Sequence, residues 1–135
     1  MIWLQPRRVT IGGQELSHVG VVTVDRSADR VVVEHSDLGP HVAFADVPEQ
    51  RATIVLSRTL VNEGAAGSLR PGDAGTLSFR TAPSASGAQV REVTADVVIT
   101  GVKHEVSAKK GAMQTLECVA ISVGGASDPI SETVI

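Results

Sequence analysis

The sequence predicts an all-β domain: an antiparallel sandwich or barrel-like fold with at most one short helix and a long C-terminal hairpin. Three observations carry this. Apolar positions alternate with polar ones in short runs such as "ATIVLSRTL" and "TLSF", the period of a half-buried strand. Gly, Pro and Asp punctuate the chain roughly every ten residues, leaving about seven to nine short strands. The apolar residues are Val, Ile, Leu and Ala, with three rings in all (Trp3, Phe44 and Phe79) and no Tyr, and a β-branched core favours strands.

In chain order, "RRVTI" reads as a strand closed by the Gly12-Gly13 turn, a short-range hairpin signal. "VGVVTVDRSADRVVVEH" reads as two Val-rich strands turning at Asp25 to Asp29. Residues 36–50 contain two prolines and little periodicity, which predicts an exposed loop with a short extended piece around Phe44. "RATIVLSRTLV" alternates Ala52, Ile54 and Leu56 against Thr53, Ser57 and Thr59. Residues 62–75 have room for one short helix, opposed by Gly64 and Gly67. "TLSFRT" places Leu77 and Phe79 inward, and residues 82–89 are an exposed Pro/Ser/Gly loop. The hairpin of residues 96–122 follows, and residues 124–135 leave the fold as an extended arm. The 135 residues suit a single domain.

Composition narrows function. A net charge of -3, with no basic cluster beyond Arg7-Arg8 and Lys109-Lys110, argues against gripping a duplex that carries one charge per roughly 1.7 Å. The scarcity of rings removes the stacking platforms that single-stranded nucleic acids and sugars require. Cys118 stands alone inside an apolar strand pattern and reads as a small buried thiol. The N-terminus shows no signal-peptide core and no apolar run approaches the ~20 residues of a membrane span, so a reducing cytoplasm and no membrane are expected. Catalytic constellations are missing. Glu34, His35, Asp37 and His41 cluster in sequence but match no compact metal motif, and no serine sits in a Gly-x-Ser-x-Gly elbow. The glycines of "GGQE" and "GDAG" open no helix, so they are turns and not phosphate loops. No enzyme activity, cofactor or metal is expected.

The hairpin "DVVITGVKHEVSAKKGAMQTLECVAIS" raises a different question. With its turn at Lys109-Lys110, one face carries Val97, Ile99 and Gly101 near Leu116, Cys118 and Ala120, a core face. The other carries Asp96, Val98, Thr100, Val102, His104 and Val106 beside Met113, Thr115, Glu117, Val119 and Ile121. This face is half apolar, poor for solvent and too polar for a dry core. Strands of about ten residues span roughly 33 Å and can project past the body. Long Val-rich edges invite other chains, which points to a ring whose edges close on copies of itself around an aqueous channel.

In order and character, "ATIVLSRTL", "LRPGDAGTLSF" and "DVVITGVKHEVSAKKGAMQTLECVAISVGGASDP" resemble the tail tube proteins of long-tailed bacteriophages. The resemblance covers roughly residues 50–130, with the first 50 matching in outline. It implies a β-sandwich-like tail tube fold with one small helix and hexameric rings stacked into a hollow tube. The implied partners are the protein itself, other tail proteins, and double-stranded DNA that passes without binding. The implied location is the virion tail, after synthesis in the host bacterial cytoplasm. An acidic wall repels phosphate, and Asp96, Glu105 and Glu117 are the candidate channel-lining residues. Val102, His104, Val106, Met113 and Thr115 are the candidate inter-subunit contacts. In such proteins a long loop and a terminal arm reach the adjacent ring. With a short turn at residues 25–29, that work falls here to residues 36–50 and the tail from 124.

Three alternatives remain open. A tail adaptor or terminator, or a type VI secretion tube subunit, shares the implied fold. A small β-sandwich binding module is disfavoured by the missing rings. A small hydrolase with loop-borne Ser36, His35 and His41 lacks any motif.

Overall fold

The Val-rich alternation of the chain is realised as strands in the computed structural model, which describes residues 7–16, 18–60, 69–81, 90–108 and 111–134. The strands are β1 (Arg7–Ile11), β2 (Gln14–Glu15), β3 (Val19–His35), β4 (Val42–Leu60), β5 (Ala74–Thr81), β6 (Arg91–Ser107), β7 (Gly111–Ile121) and β8 (Ile130–Val134). They form one antiparallel sheet in the order β2-β1-β5-β6-β7-β4-β3, with β8 on β6. The fold is all-β, as the alternation predicts. Among the described residues the sole helical element is a 3-10 turn at Val123–Gly125. The short helix expected in residues 62–75 finds no support in residues 69–75. The remaining part of that segment, the loop at 82–89 and the turn at Lys109-Lys110 lie outside the described residues.

One face of the sheet is the core. Val22 and Val24 of β3, Ala52, Ile54 and Leu56 of β4, Leu77 and Phe79 of β5, Val93 to Ile99 at alternate positions of β6, and Leu116, Cys118 and Ala120 of β7 all point to it. Val9 and Ile11, near one end of the strand order, join Val22 and Val24, at the other end, in the same cluster. The sheet is therefore rolled over its own apolar face. β2 and β3 do not pair, so the roll stays open. At the other rim, the β1–β2 turn uses Gly12 and Gly13 at φ 57° and 83°, and the Gly12 N–H donates to the carbonyl of Thr76 at 3.1 Å. Gly75 makes this approach possible, since a Cβ there would stand 2.9 Å from Gly12 Cα.

The structure corrects the reading of residues 25–50. Asp25 to Asp29 do not turn. β3 runs straight through them, paired Arg26↔Ala52, Ser27↔Arg51 and Ala28↔Gln50, and on to His35↔Val42. The reversal comes at residues 36–41, where Ser36 Oγ accepts the N–H of Leu38 at 3.3 Å. Nothing in "DRSAD" supplies a glycine or proline to break the strand, whereas Gly39-Pro40 does. The expected loop of residues 36–50 is mostly strand β4. Pro48 is accommodated because the register shifts between Arg30 and Val32, where a residue without an N–H costs no ladder bond.

Beyond Thr53, the last β4 residue paired with β7, the β3–β4 ribbon has no further strand beside it among the described residues. It extends as a two-stranded arm of ten β3 residues from Arg26 to His35, about 33 Å at ~3.3 Å per residue. The projecting hairpin is thus β3–β4. The long β6–β7 hairpin exists, but it is central, with β4 along one side and β5 along the other.

The tail is corrected as well. Instead of leaving the fold, β8 lies on β6 in register Arg91↔Val134 to Ala95↔Ile130, with Ile130 buried. β7 reaches along β6 only as far as Asp96↔Ile121, so the edge of β6 before Asp96 is vacant and β8 completes it.

Candidate channel and interface residues

The mixed face of the hairpin is the outer face of the rolled sheet. Its geometry turns on one irregularity. Ile99 pairs with Cys118, but Gly101 pairs with Glu117, so Thr100 is an extra residue in β6. Such a bulge inverts the alternation of everything after it. Val102 then opposes Leu116, His104 opposes Gln114, and Val106 opposes Ala112, all on the core side. Lys103 and Glu105 move to the outer face.

The three candidate channel residues therefore share one surface. Asp96 is opposite Ile121, Glu117 opposite Gly101, and Glu105 opposite Met113, and all three are exposed. Asp96 Oδ1 accepts the Thr76 hydroxyl at 2.9 Å. The hydroxyl of Thr100 donates to the backbone carbonyl of Glu117 at 3.2 Å. The Glu117 side chain lies across Gly101, where an added Cβ would meet Oε2 at 3.3 Å. Between the carboxylates, Val98 faces Val119 and Lys103 faces Thr115.

The five candidate contact residues do not form one patch. Met113 and Thr115 lie on the outer face with the carboxylates. Val102 packs against the core cluster, His104 sits beside Gln114, and Val106 is 84% exposed at the far end of the hairpin.

Two features were not anticipated. The first is a polar row across three strands, buried at Arg58 and Gln114 and open to solvent at His104. Arg58 of β4 is directly opposite Gln114 of β7, itself opposite His104 of β6. Arg58 Nε donates to Gln114 Oε1 at 2.7 Å, and Gln114 Nε2 is 3.2 Å from His104 Nε2. Arg58 and Gln114 are buried, and burial pulls the guanidinium below its usual range. A signal was present: Arg58 is the next alternate position after Ala52, Ile54 and Leu56, so the pattern placed it inward. Cys118 is buried nearby, and burial pushes its thiol up to about 11, a proton donor too weak to act as a thiolate at neutral pH.

The second is the arm. Val31, Val33, Val42 and Phe44 are about half exposed, and Leu38 at its tip is 97% exposed. The apolar groups occupy both faces, Val33 opposite Ala45 on one and Phe44 opposite Glu34 on the other. From Ser27 to Gln50 one arginine stands against five carboxylates, a net charge of about -4, while the whole chain carries -3. At its base a cleft of about 490 Å³ separates the arm from the Ser122–Pro129 segment, lined by Arg26, Pro48, Arg51, Ser127 and Asp128 among others. Glu34, His35, Asp37 and His41 all fall at the tip. Among the described residues no three His, Cys, Asp or Glu side chains are grouped to hold a metal ion.

Comparison with protein-family models and with characterised proteins gives no match. Among solved structures, the chain is similar to a chain from the tail of an empty GTA (gene transfer agent) particle, determined by helical refinement in C6 symmetry. The two share 12% identity at a TM-score of 0.51, over 91% of this chain and 87% of that one. At that identity the likeness is one of fold: this chain has a phage tail-like all-β fold.

Proposed function

We propose that the chain is a structural subunit of a phage-type tail tube. Copies assemble into sixfold rings, the rings stack, and double-stranded DNA passes through the hollow centre. The observation that carries this reading is the shared fold with a chain from a C6-symmetric tail. The outer edge of β3, unpaired among the described residues, and the half-exposed apolar side chains of the arm support it, because a lone soluble domain would shield a long edge and such groups. In the ring, the outer face forms the wall, with Asp96, Glu105 and Glu117 repelling phosphate. Met113 and Thr115 lie between wall and neighbour, and Val106 contacts a subunit on the other side. The protein works in the virion tail with other tail proteins after synthesis in the host cytoplasm, without catalysis or cofactor. The projecting arm favours a stacking subunit over a one-ring adaptor or terminator, since a single ring has no neighbour for it to reach.

Negative-stain electron microscopy of the concentrated protein, with light scattering on the same sample, tests this. Rings or hollow tubes with sixfold class averages are expected. A monodisperse monomer at every concentration would overturn the tube assignment and favour a small binding module.

A further inference from the structure

We propose that Asp128 couples the direction of the β3–β4 arm to the seating of the C-terminal strand β8, so that moving the arm loosens β8 from β6. The carboxylate of Asp128 is shared between the two elements. Oδ1 accepts the N–H of Ile130, the first residue of β8, at 3.0 Å. Oδ2 accepts from Arg26 Nη2 at 3.2 Å. Arg26 is the core-side position that follows Val22 and Val24, at the point where the arm leaves the sheet. One side chain thus ties the root of the arm to the start of the last strand.

The segment that carries Asp128 is stiff enough to transmit the tie. The Gly125 N–H donates to the Ser122 carbonyl at 3.1 Å, and the Ser122 and Ser127 hydroxyls lie 3.1 Å apart. Pro129 fixes the backbone between Asp128 and Ile130. The arm has a place to bend, since its register shifts between Ala28 and Arg30 and again between Arg30 and Val32. The diagonal pair of Arg51 with Asp29, at 3.2 Å, reaches across the first of those shifts and leaves the second, between Arg30 and Val32, unbraced by it. β8 is the weakly held partner. Among the described residues its sole strand neighbour is β6, its buried anchor is Ile130, and its sole ion pair is Glu132 with Arg91 at 3.4 Å. The coupling is a property of the single chain. Its use, release of β8 when a neighbouring copy takes hold of the arm, rests on the tube reading.

Hydrogen exchange on dilute, monomeric protein tests the coupling independently of assembly. Arg26→Gln removes the tie without touching β8. The amides of Ser131 to Thr133 are expected to exchange about threefold faster, the size of an exposed ion pair, with Leu77 to Phe79 unchanged as the control for global folding. Asp128→Asn, which keeps the acceptor for the Ile130 N–H and loses the charge, should act the same way, and Arg26→Lys, which keeps the charge, should retain slow exchange. Unaltered β8 exchange in Arg26→Gln, or equal acceleration in Arg26→Lys, would overturn the proposal. Neither result alters the tube reading, which rests on ring formation read separately by light scattering.

Discussion

The guanidinium of Arg58 and the amide of Gln114 meet at 2.7 Å with 3% and 0% of their surfaces exposed, on neighbouring strands in direct register. A charged donor this far from water needs its acceptor, because leaving it unmet forfeits the solvation already given up. Gln114→Ala is therefore expected to lower stability by about 2 kcal/mol. In chemical denaturation this appears as an earlier midpoint at unchanged slope. Gln114→Glu, which keeps the acceptor, should lose less.

Among the described glycines, Gly75 leaves the least room for a side chain. Because a Cβ there would press on the backbone of Gly12, at 2.9 Å from Cα and 3.0 Å from N, Gly75→Ala must push the β1–β2 turn away from β5. A loss of about 2 kcal/mol is expected. Gly101→Ala is the control: its new methyl meets the far end of the flexible Glu117 side chain, and the cost should stay below about 1 kcal/mol. Thermal unfolding of the two variants side by side distinguishes backbone from side-chain crowding.

The thiol of Cys118 makes stability fall at alkaline pH. Its folded value is raised from 9.0 to about 11 by burial. Below pH 9 the group is protonated in both states and the folded state keeps its full advantage. As pH rises from 9 to about 11 the unfolded chain ionises first, and about 2–3 kcal/mol is lost. Cys118→Ala should flatten that part of the pH profile, measured by urea titration at each pH.

Reversing charge on the outer face should separate assembly from passage. Glu105→Lys with Glu117→Lys leaves the core untouched, so rings are expected to form as before. The wall then attracts phosphate, and DNA should bind with an affinity that falls steeply with salt. Particles carrying the pair are expected to deliver DNA more slowly. Normal delivery by such particles would remove the two residues from the channel.

The arm should be dispensable for folding. Joining Ala28 to Gln50, which are already strand partners, through a two-residue turn removes exposed residues and one exposed ion pair. Stability should stay within about 0.5 kcal/mol. Rings are expected to persist and stacking to fail, which sedimentation of concentrated samples would detect.

Much of the core was legible in the sequence because alternation survives wherever one face is buried. Ala52, Ile54 and Leu56, Leu77 and Phe79, and Val97 and Ile99 with Leu116 and Cys118 all point inward as their spacing predicts. The arm was illegible for the same reason. With solvent on both sides, "DRSADR" has no face to declare and reads as a turn, and the true reversal at Ser36 to His41 lay in what looked like a long loop. The bulge had a marker, Gly101 inside a strand, yet a lone glycine does not say on which side the extra residue falls. Its consequence was to divide the contact candidates and to gather the acidic ones. The seating of β8 depends on where β7 ends beside β6, a length relation between distant segments that no local pattern records.

The extra residue at Thr100 also changes how this surface is inherited. A point substitution alters one side chain of the wall. Loss of the single codon for Thr100 would leave Ile99 opposite Cys118, Gly101 opposite Glu117 and Val102 opposite Leu116, so Glu105 would stay on the outer face and the local kink alone would go. Loss of Lys103 would instead turn the residues after it through half a rotation and drive Glu105 beneath the sheet. Lineages of this chain are thus expected to lose or regain a residue at position 100 while keeping strict count from Gly101 to Glu105.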